Sequence, residues 1–177
     1  MKGLVFTEFL EMVEAKFSAN MVDDIIADCA LESGGAYTAV GTYSHHELVL
    51  LVTALSQRTG VPGSSLVLAF GEYMFQRFYV FYPGFFTGTD SALDFLEGIE
   101  SVIHTEVRKL YPDAQLPKFD CVRSVHGLTM DYSSPRHFGD LAEGLIRGAI
   151  AHFGDKLDLF RETRQDGTVR FTLRSPS

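Results

Sequence analysis

The most informative stretch of the sequence is Tyr132-Ser133-Ser134-Pro135-Arg136. In an extended segment alternate side chains share one face, so Tyr132, Ser134 and Arg136 would point the same way. A phenol, a hydroxyl and a guanidinium fork side by side form a set of donors suited to carboxylate groups. The simpler interpretation is an edge strand whose polar face meets water, and spacing alone favours it.

A histidine upstream of this stretch, His104, lies on a predicted helix that begins after an N-cap at Asp90 and runs to Tyr111, before Pro112. The apolar stripe of that helix consists of Leu93, Leu96, Ile99, Ile103, Val107 and Leu110. His104 falls near the edge of the stripe, with Glu100, Ser101 and Arg108 at helical spacing from it. The helical pattern alone therefore predicts a surface or boundary histidine.

The first half of the chain is predicted to be helical. Helices are predicted over residues 4–17, 21–31 and 64–82, and between an N-cap at Ser44 and a stop at Gly60. Ser44 and Glu47 have the spacing of a capping box. The 64–82 helix is dense in Phe and Tyr, which is typical of an ordinary core but would also suit a large, flat, apolar ligand.

After Pro117 the hydrophobic period changes from helical to alternating. Strands are predicted over residues 118–125, 128–134, 156–161 and 169–174, with a helix over residues 139–153. The resulting class is α+β, with a helical N-terminal lobe over about residues 1–62. A C-terminal lobe over about residues 63–177 would carry a four-stranded antiparallel sheet. No linker rich in Pro, Gly or Ser divides the chain, so residues 1–177 are predicted to form a single domain.

Composition excludes several classes of function. The chain has 177 residues and a formal net charge of −8, which argues against binding nucleic acid or an anionic membrane surface. Cys29 and Cys121 form no Cys-x-x-Cys motif, so no thiolate zinc cluster or covalent haem attachment is expected within the chain. Because no apolar run is long enough to span a bilayer, and because acidic residues interrupt the N-terminal segment, a cytoplasmic protein is expected.

The Tyr-x-Ser-x-Arg segment downstream of a helical histidine resembles the haem nitric oxide/oxygen-binding (H-NOX) family, which includes the haem domain of soluble guanylate cyclase. The likeness extends to the opening Met1-Lys2-Gly3, to Phe70-Gly71-Glu72-Tyr73, and to Leu110-Tyr111-Pro112. The resemblance implies non-covalent haem b and a bacterial stand-alone sensor. His104 would ligate the iron, while Tyr132, Ser134 and Arg136 would hold the two propionates.

The resemblance also bears on which gas binds. Oxygen-binding members present a distal Tyr five residues after the clamp Arg, and here that position is Leu141. The haem pocket would further include Val5, Phe9, Pro117 and Leu145, again without a hydrogen-bond donor. The expected ligand is therefore NO, with CO also able to bind and O₂ excluded. The sequence leaves open whether the Tyr73 hydroxyl reaches this pocket.

By the same resemblance, NO would break the bond between iron and His104, and the N-terminal lobe would then move. The output would lie in a separate protein, a histidine kinase or a cyclic-di-GMP enzyme. Two other functions are weighed against this one. A haem-free module for an apolar ligand or a scaffold would use the same aromatic core. A hydrolase built on Ser134 with His104 or His126 lacks a Gly-x-Ser-x-Gly elbow, so an enzyme is not predicted.

Overall fold

The computed structural model describes residues 1–176, which form seven α-helices and one four-stranded antiparallel sheet. The helices are α1 (Gly3–Lys16), α2 (Ala19–Ala27), α3 (His45–Thr59), α4 (Gly63–Phe81), α5 (Ala92–Glu97), α6 (His104–Leu110) and α7 (Gly139–Phe153). The strands are β1 (Lys118–Ser124), β2 (Gly127–Ser133), β3 (Asp158–Thr163) and β4 (Val169–Arg174), in the spatial order β1-β2-β4-β3. The predicted α+β class is confirmed.

Local signals fix most of these boundaries, and α7 and β4 begin and end where the sequence predicts. Helix α7 ends at Phe153 and is capped by Gly154, whose φ of 70° is the left-handed conformation common at helix C-termini. Helix α2 differs from its prediction: it begins after Ser18, whose side chain caps the amide of Met21, and it ends at Ala27. The predicted extension to Leu31 is wrong because the chain leaves the helix after Asp28 and then forms a turn in which the Gly34 amide donates to the Leu31 oxygen at 3.0 Å.

Glu47 explains why the chain turns back there. Its carboxylate accepts hydrogen bonds from the Ser33 amide at 3.2 Å, from the Ser33 hydroxyl and from the Tyr37 hydroxyl at 2.6 Å. Ser44 does cap α3, through the amide of His46 at 3.3 Å. The predicted capping box is nevertheless wrong, because Glu47 is buried and ties down the loop before α3 instead of closing on Ser44.

The predicted long helix around His104 is interrupted. Its N-cap is Ser91 instead of Asp90, α5 ends at Glu97, and a π-turn spans Ile99–Ile103 before α6 starts. A π-turn holds one residue more than an α-helical turn, so every later side chain is rotated around the axis. Leu110, predicted to face inward, is 53 % exposed, whereas His104 is only 7 % exposed. The prediction that His104 is a surface or boundary residue is therefore wrong.

The buried core has two parts, and α4 runs through both. The first joins α1, α2 and α3 to the first half of α4, and the second joins the end of α4 to α5, α7 and the sheet. Helices α4 and α7 touch at Gly71 and Gly144. A Cβ on Gly144 would lie 2.1 Å from the carbonyl oxygen of Leu68, so this close crossing tolerates only glycine.

None of the helices within residues 1–176 is both long and apolar enough to cross a membrane.

Candidate cofactor site

A largely apolar cavity of about 390 Å³ lies between α1, α4, α7 and the segment that carries His104. Its size falls in the range of small-molecule pockets, roughly 300–1,000 Å³. It is lined by seven of the nine residues predicted for the site, namely Val5, His104, Pro117, Tyr132, Arg136, Leu141 and Leu145. The other two, Phe9 and Ser134, are not among its lining residues.

His104 is held by a carboxylate. Its Nδ1 lies 3.1 Å from Oε1 of Glu100, one turn earlier in the chain. Burial lowers the pKa of His104, and the neighbouring Glu100 carboxylate offsets part of that fall. The imidazole is consequently neutral near pH 7, with Nδ1–H donating to Glu100 and the Nε2 lone pair left for a metal ion.

Glu100 also accepts a hydrogen bond from the sheet. The same oxygen, Oε1, accepts from the backbone amide of Phe119 at 2.8 Å. The Phe119 ring packs 6.0 Å from the His104 ring and 5.3 Å from the ring of Tyr132, centroid to centroid. The histidine and the predicted carboxylate clamp are thus joined through β1. We call His104, Tyr132 and Arg136 the polar wall of the cavity; Glu100 does not line the cavity but supports this wall through His104.

The clamp residues come together by a turn and not by strand alternation. Strand β2 ends at Ser133, and the Ser134 hydroxyl accepts a hydrogen bond from the Arg136 amide at 3.2 Å. Tyr132 is buried, which raises the pKa of its phenol, and the nearby Ser134 hydroxyl offsets part of the rise. The three side chains are neighbours, but the extended geometry expected of them is wrong beyond Ser133.

The orientation of Arg136 is fixed by Gln115, a residue that the sequence analysis did not identify. Its Nη1 donates to the backbone oxygen of Gln115 at 2.7 Å, and its Nη2 donates to Oε1 of Gln115 at 3.0 Å. A guanidinium has five N–H donors, so three remain for a carboxylate ligand. No motif marks Gln115 in the sequence; only its place in the loop between α6 and β1 could have suggested it.

Another part of the cavity surface carries no polar side chain. Val5 on α1 and Leu141 and Leu145 on α7 form what we call the apolar wall. Phe9 lies one turn beyond Val5, about 6 Å further along the helix, and is fully buried against Phe70 in the first core. Its predicted place in the pocket is not what the structure gives.

Tyr73 lies away from the cavity. The guanidinium of Arg77 lies 6.0 Å from its ring. Burial raises the pKa of the Tyr73 phenol, the Arg77 charge offsets part of that rise, and the Glu8 carboxylate adds to it. Tyr82 and Tyr111 do line the cavity, as Thr42 and Tyr132 do, and the hydroxyls of Tyr82 and Tyr111 are hydrogen-bonded to each other at 3.1 Å.

A family model described as haem-NO-binding matches residues 2–160 of this chain. The chain belongs to the H-NOX family. The Fe(II) unliganded H-NOX protein from K. algicida is 39% identical, with a TM-score of 0.93 over 100% of this chain and 97% of that one. The H-NOX protein from S. oneidensis in the Fe(II)NO state is 27% identical, with a TM-score of 0.92 over 100% of both chains.

A third H-NOX structure adds a different bound gas. The IWP-051-bound H-NOX from Shewanella woodyi, in the Fe(II)CO state, is 37% identical, with a TM-score of 0.85 over 99% of this chain and 95% of that one. A curated relative, the UDP-N-acetylmuramate–L-alanine ligase of Polynucleobacter asymbioticus, is 26% identical over 85% of this chain. The chain spans only 29% of that ligase's length.

The residues present fit the haem that the H-NOX family binds. The cavity joins an apolar interior to one neutral imidazole with a free nitrogen and to a guanidinium with three unused donors. The serine and histidines of the alternative hydrolase are not paired. Among the hydrogen bonds of residues 1–176, none joins the Ser134 hydroxyl to His104 or His126, and Ser134 and His126 lie beyond opposite ends of β2.

Proposed function

We propose that this H-NOX chain is a haem-based sensor that binds NO at ferrous iron, does not retain O₂, and signals to a separate protein. The observation that carries the proposal is His104, a buried neutral imidazole at the surface of an apolar cavity with its second nitrogen already bonded. A histidine held this way is typical of a metal ligand. A haem-free scaffold would gain nothing from such an arrangement, because burying an imidazole without need costs stability.

In this proposal the polar wall and the neighbouring Ser134 hydroxyl hold the haem. His104 binds iron through Nε2. Arg136 and the Tyr132 and Ser134 hydroxyls hold the two propionates, with Arg136 contributing most because charge-assisted hydrogen bonds are worth roughly 1.5–3 kcal/mol. Pro117 and Val5 pack against the faces of the porphyrin. Haem, when bound, supplies a ferrous iron that takes diatomic gases.

The apolar wall would set gas selectivity. Bound O₂ carries partial negative charge and is stabilised by a hydrogen-bond donor, whereas NO binds ferrous haem strongly without one. Val5, Leu141 and Leu145 offer no donor, and Tyr73 does not line the cavity. The Tyr82 and Tyr111 hydroxyls do line it, but they are hydrogen-bonded to each other. We therefore expect NO and CO to bind and O₂ to be excluded.

The polar wall would act as the switch. If bound NO weakened the hold of His104 on the iron, α6, which begins at His104, would be free to relax away from the cavity. The helical lobe over about residues 1–62 would then move on the lobe over about residues 63–177. Moving such an equilibrium from mostly off to mostly on requires roughly 5.5 kcal/mol of difference in NO affinity between the two states.

The partner class is a histidine kinase or a cyclic-di-GMP enzyme. Autophosphorylation or cyclic-di-GMP turnover by a purified candidate, measured with the reduced sensor with and without NO, tests this part. An effect that requires NO supports the partner, and equal rates in both conditions exclude it.

The function itself is tested by absorption spectra of the purified, reduced protein. Without air we expect the spectrum of five-coordinate ferrous haem, with NO a second five-coordinate spectrum, and with O₂ no oxygenated spectrum. A protein that stays colourless after haem is added would contradict the sensor and favour the haem-free module. A stable oxygenated spectrum in air would contradict only the selectivity.

A further inference from the structure

We infer that Glu100 sets the strength of the bond between His104 and iron, and thereby how readily NO releases His104. This inference rests on the proposed function. Glu100 would act through His104 and touch neither haem nor gas, so it is a positioning residue. The contact that carries the inference is the 3.1 Å hydrogen bond between His104 Nδ1 and Glu100 Oε1.

The chemistry follows from the charge of the acceptor. A hydrogen bond to an ionised group is roughly twice as strong as one between neutral groups. A carboxylate that accepts the Nδ1 proton fixes the histidine tautomer and makes the opposite nitrogen a better electron donor. Nε2 of His104 would therefore bind iron more tightly than it would with a backbone carbonyl or a water as its partner.

The position of the carboxylate is fixed independently of the histidine. Glu100 lies in the π-turn, and its Oε1 also accepts the Phe119 amide of β1 at 2.8 Å. Phe119 pairs with Tyr132 of the clamp in the β1–β2 ladder. The carboxylate is thus anchored to the sheet, so it can remain in place while His104 moves away from the iron.

Apart from its two hydrogen bonds, the Glu100 carboxylate forms only a weak ion pair. Its second oxygen, Oε2, lies 3.9 Å from Nη2 of Arg108, whose side chain is 52 % exposed. An ion pair that long and that exposed contributes little. The negative charge of the carboxylate therefore acts mainly on its two hydrogen-bond donors, the Phe119 amide and the Nδ1–H of His104.

Glu100→Gln is the sharpest test, because a glutamine carbonyl can still accept both hydrogen bonds while the charge is removed. In the reduced, unliganded protein we expect the iron–histidine stretching band in the resonance Raman spectrum to move to lower wavenumber. After NO is mixed in, stopped-flow absorption should show His104 leaving the iron about tenfold faster, at the low end of the loss that such outer partners cause.

The matched control is Glu106→Gln, which removes the same charge from α6, where Glu106 pairs with Lys109 at 2.5 Å instead of with His104. The control should leave both measurements unchanged. If Glu100→Gln also leaves both unchanged while the wild type shows a normal iron–histidine band, this inference alone is overturned. If the wild type shows no such band, the proposed function fails with it.

Discussion

The two walls of the cavity differ in how tightly their side chains are held. The side chains of the polar wall are held by hydrogen bonds. His104 is hydrogen-bonded to Glu100, which also accepts the Phe119 amide, and Arg136 is hydrogen-bonded to Gln115. In the apolar wall, Val5, Leu141 and Leu145 are placed by packing alone, behind the close crossing of α4 and α7. The polar wall fixes the positions and charges of individual polar atoms, whereas the apolar wall fixes only the shape of the cavity.

The difference suggests a division of labour. A sensor has to choose its gas and also respond to it, and the two walls would perform these tasks separately. Selectivity would come from the absence of a donor near Leu141, and the response from a single bond that His104 makes and breaks. Changes in one wall should then leave the property of the other wall intact.

The largest effect is expected from removing His104. In His104→Gly, haem should be retained only when imidazole is added back, and NO should no longer alter the arrangement of the lobes because no covalent path joins iron to α6. Hydrogen exchange of α1 with and without NO measures the response. His126→Gly, in the turn between β1 and β2, is the control and should respond as the wild type does. Full response in His104→Gly would refute the switch.

The next largest effect is a change of selectivity in the apolar wall. Leu141→Tyr places a hydroxyl in a cavity wall that has none, and a hydrogen bond to partly charged O₂ is worth about 1.5–3 kcal/mol, or roughly ten- to a hundredfold in affinity. An oxygenated spectrum in air is the expected result. Leu141→Phe adds the same ring without the hydroxyl, so O₂ binding by both variants would mean that space, not a donor, decides selectivity.

A smaller effect is expected from a substitution at the close crossing of α4 and α7, which supports the apolar wall. In Gly144→Ala the new Cβ would lie 2.1 Å from the Leu68 oxygen, so α7 must shift away from α4. Overpacking of this kind costs about 1–3 kcal/mol, which corresponds to a fall in Tm of about 2–4 °C for each kcal/mol. Gly98→Ala meets nothing nearer than 3.5 Å and should not lower Tm. Equal thermal melting curves for both variants would contradict the close crossing.

The smallest effect is expected from removing the Gln115 side chain, which orients the Arg136 guanidinium. Gln115→Ala removes one of the two bonds that Gln115 makes to the guanidinium, because the backbone oxygen remains. We expect haem binding to weaken by about 0.5–1 kcal/mol, which corresponds to a two- to fivefold faster transfer of haem to an excess of apomyoglobin. Gln76→Ala on α4, which does not line the cavity, is the control. Unchanged haem loss in Gln115→Ala would show that the Gln115 side chain does not aim Arg136.

The sequence predicts the fold well where one local signal dominates. Helix α7 and strand β4 have strong periodicity and clear ends, and their bounds match the prediction. Cavity residues on regular elements, such as Val5, Leu141 and Leu145, also follow from the pattern of the family. Phe9 is not among the residues that line the cavity, because its ring packs on Phe70, and that contact depends on the tertiary fold.

The polar wall is harder to read from sequence, because its geometry depends on irregular backbone. One extra residue in the π-turn has no signature in composition, yet it turns His104 inward and brings Glu100 to the Phe119 amide. The turn after Ser133 likewise replaces strand alternation with a bond between Ser134 and the Arg136 amide. Gln115 lies in a loop where no period exists to be detected.

The most direct test of the His104 switch is the resonance Raman spectrum of the reduced protein before and after NO. We expect an iron–histidine stretching band from His104 in the unliganded protein and its disappearance when NO binds. A band that persists with NO would contradict the switch, because His104 would then remain on the iron. The absence of any such band in the reduced, haem-loaded protein would contradict the assignment of His104 as the ligand.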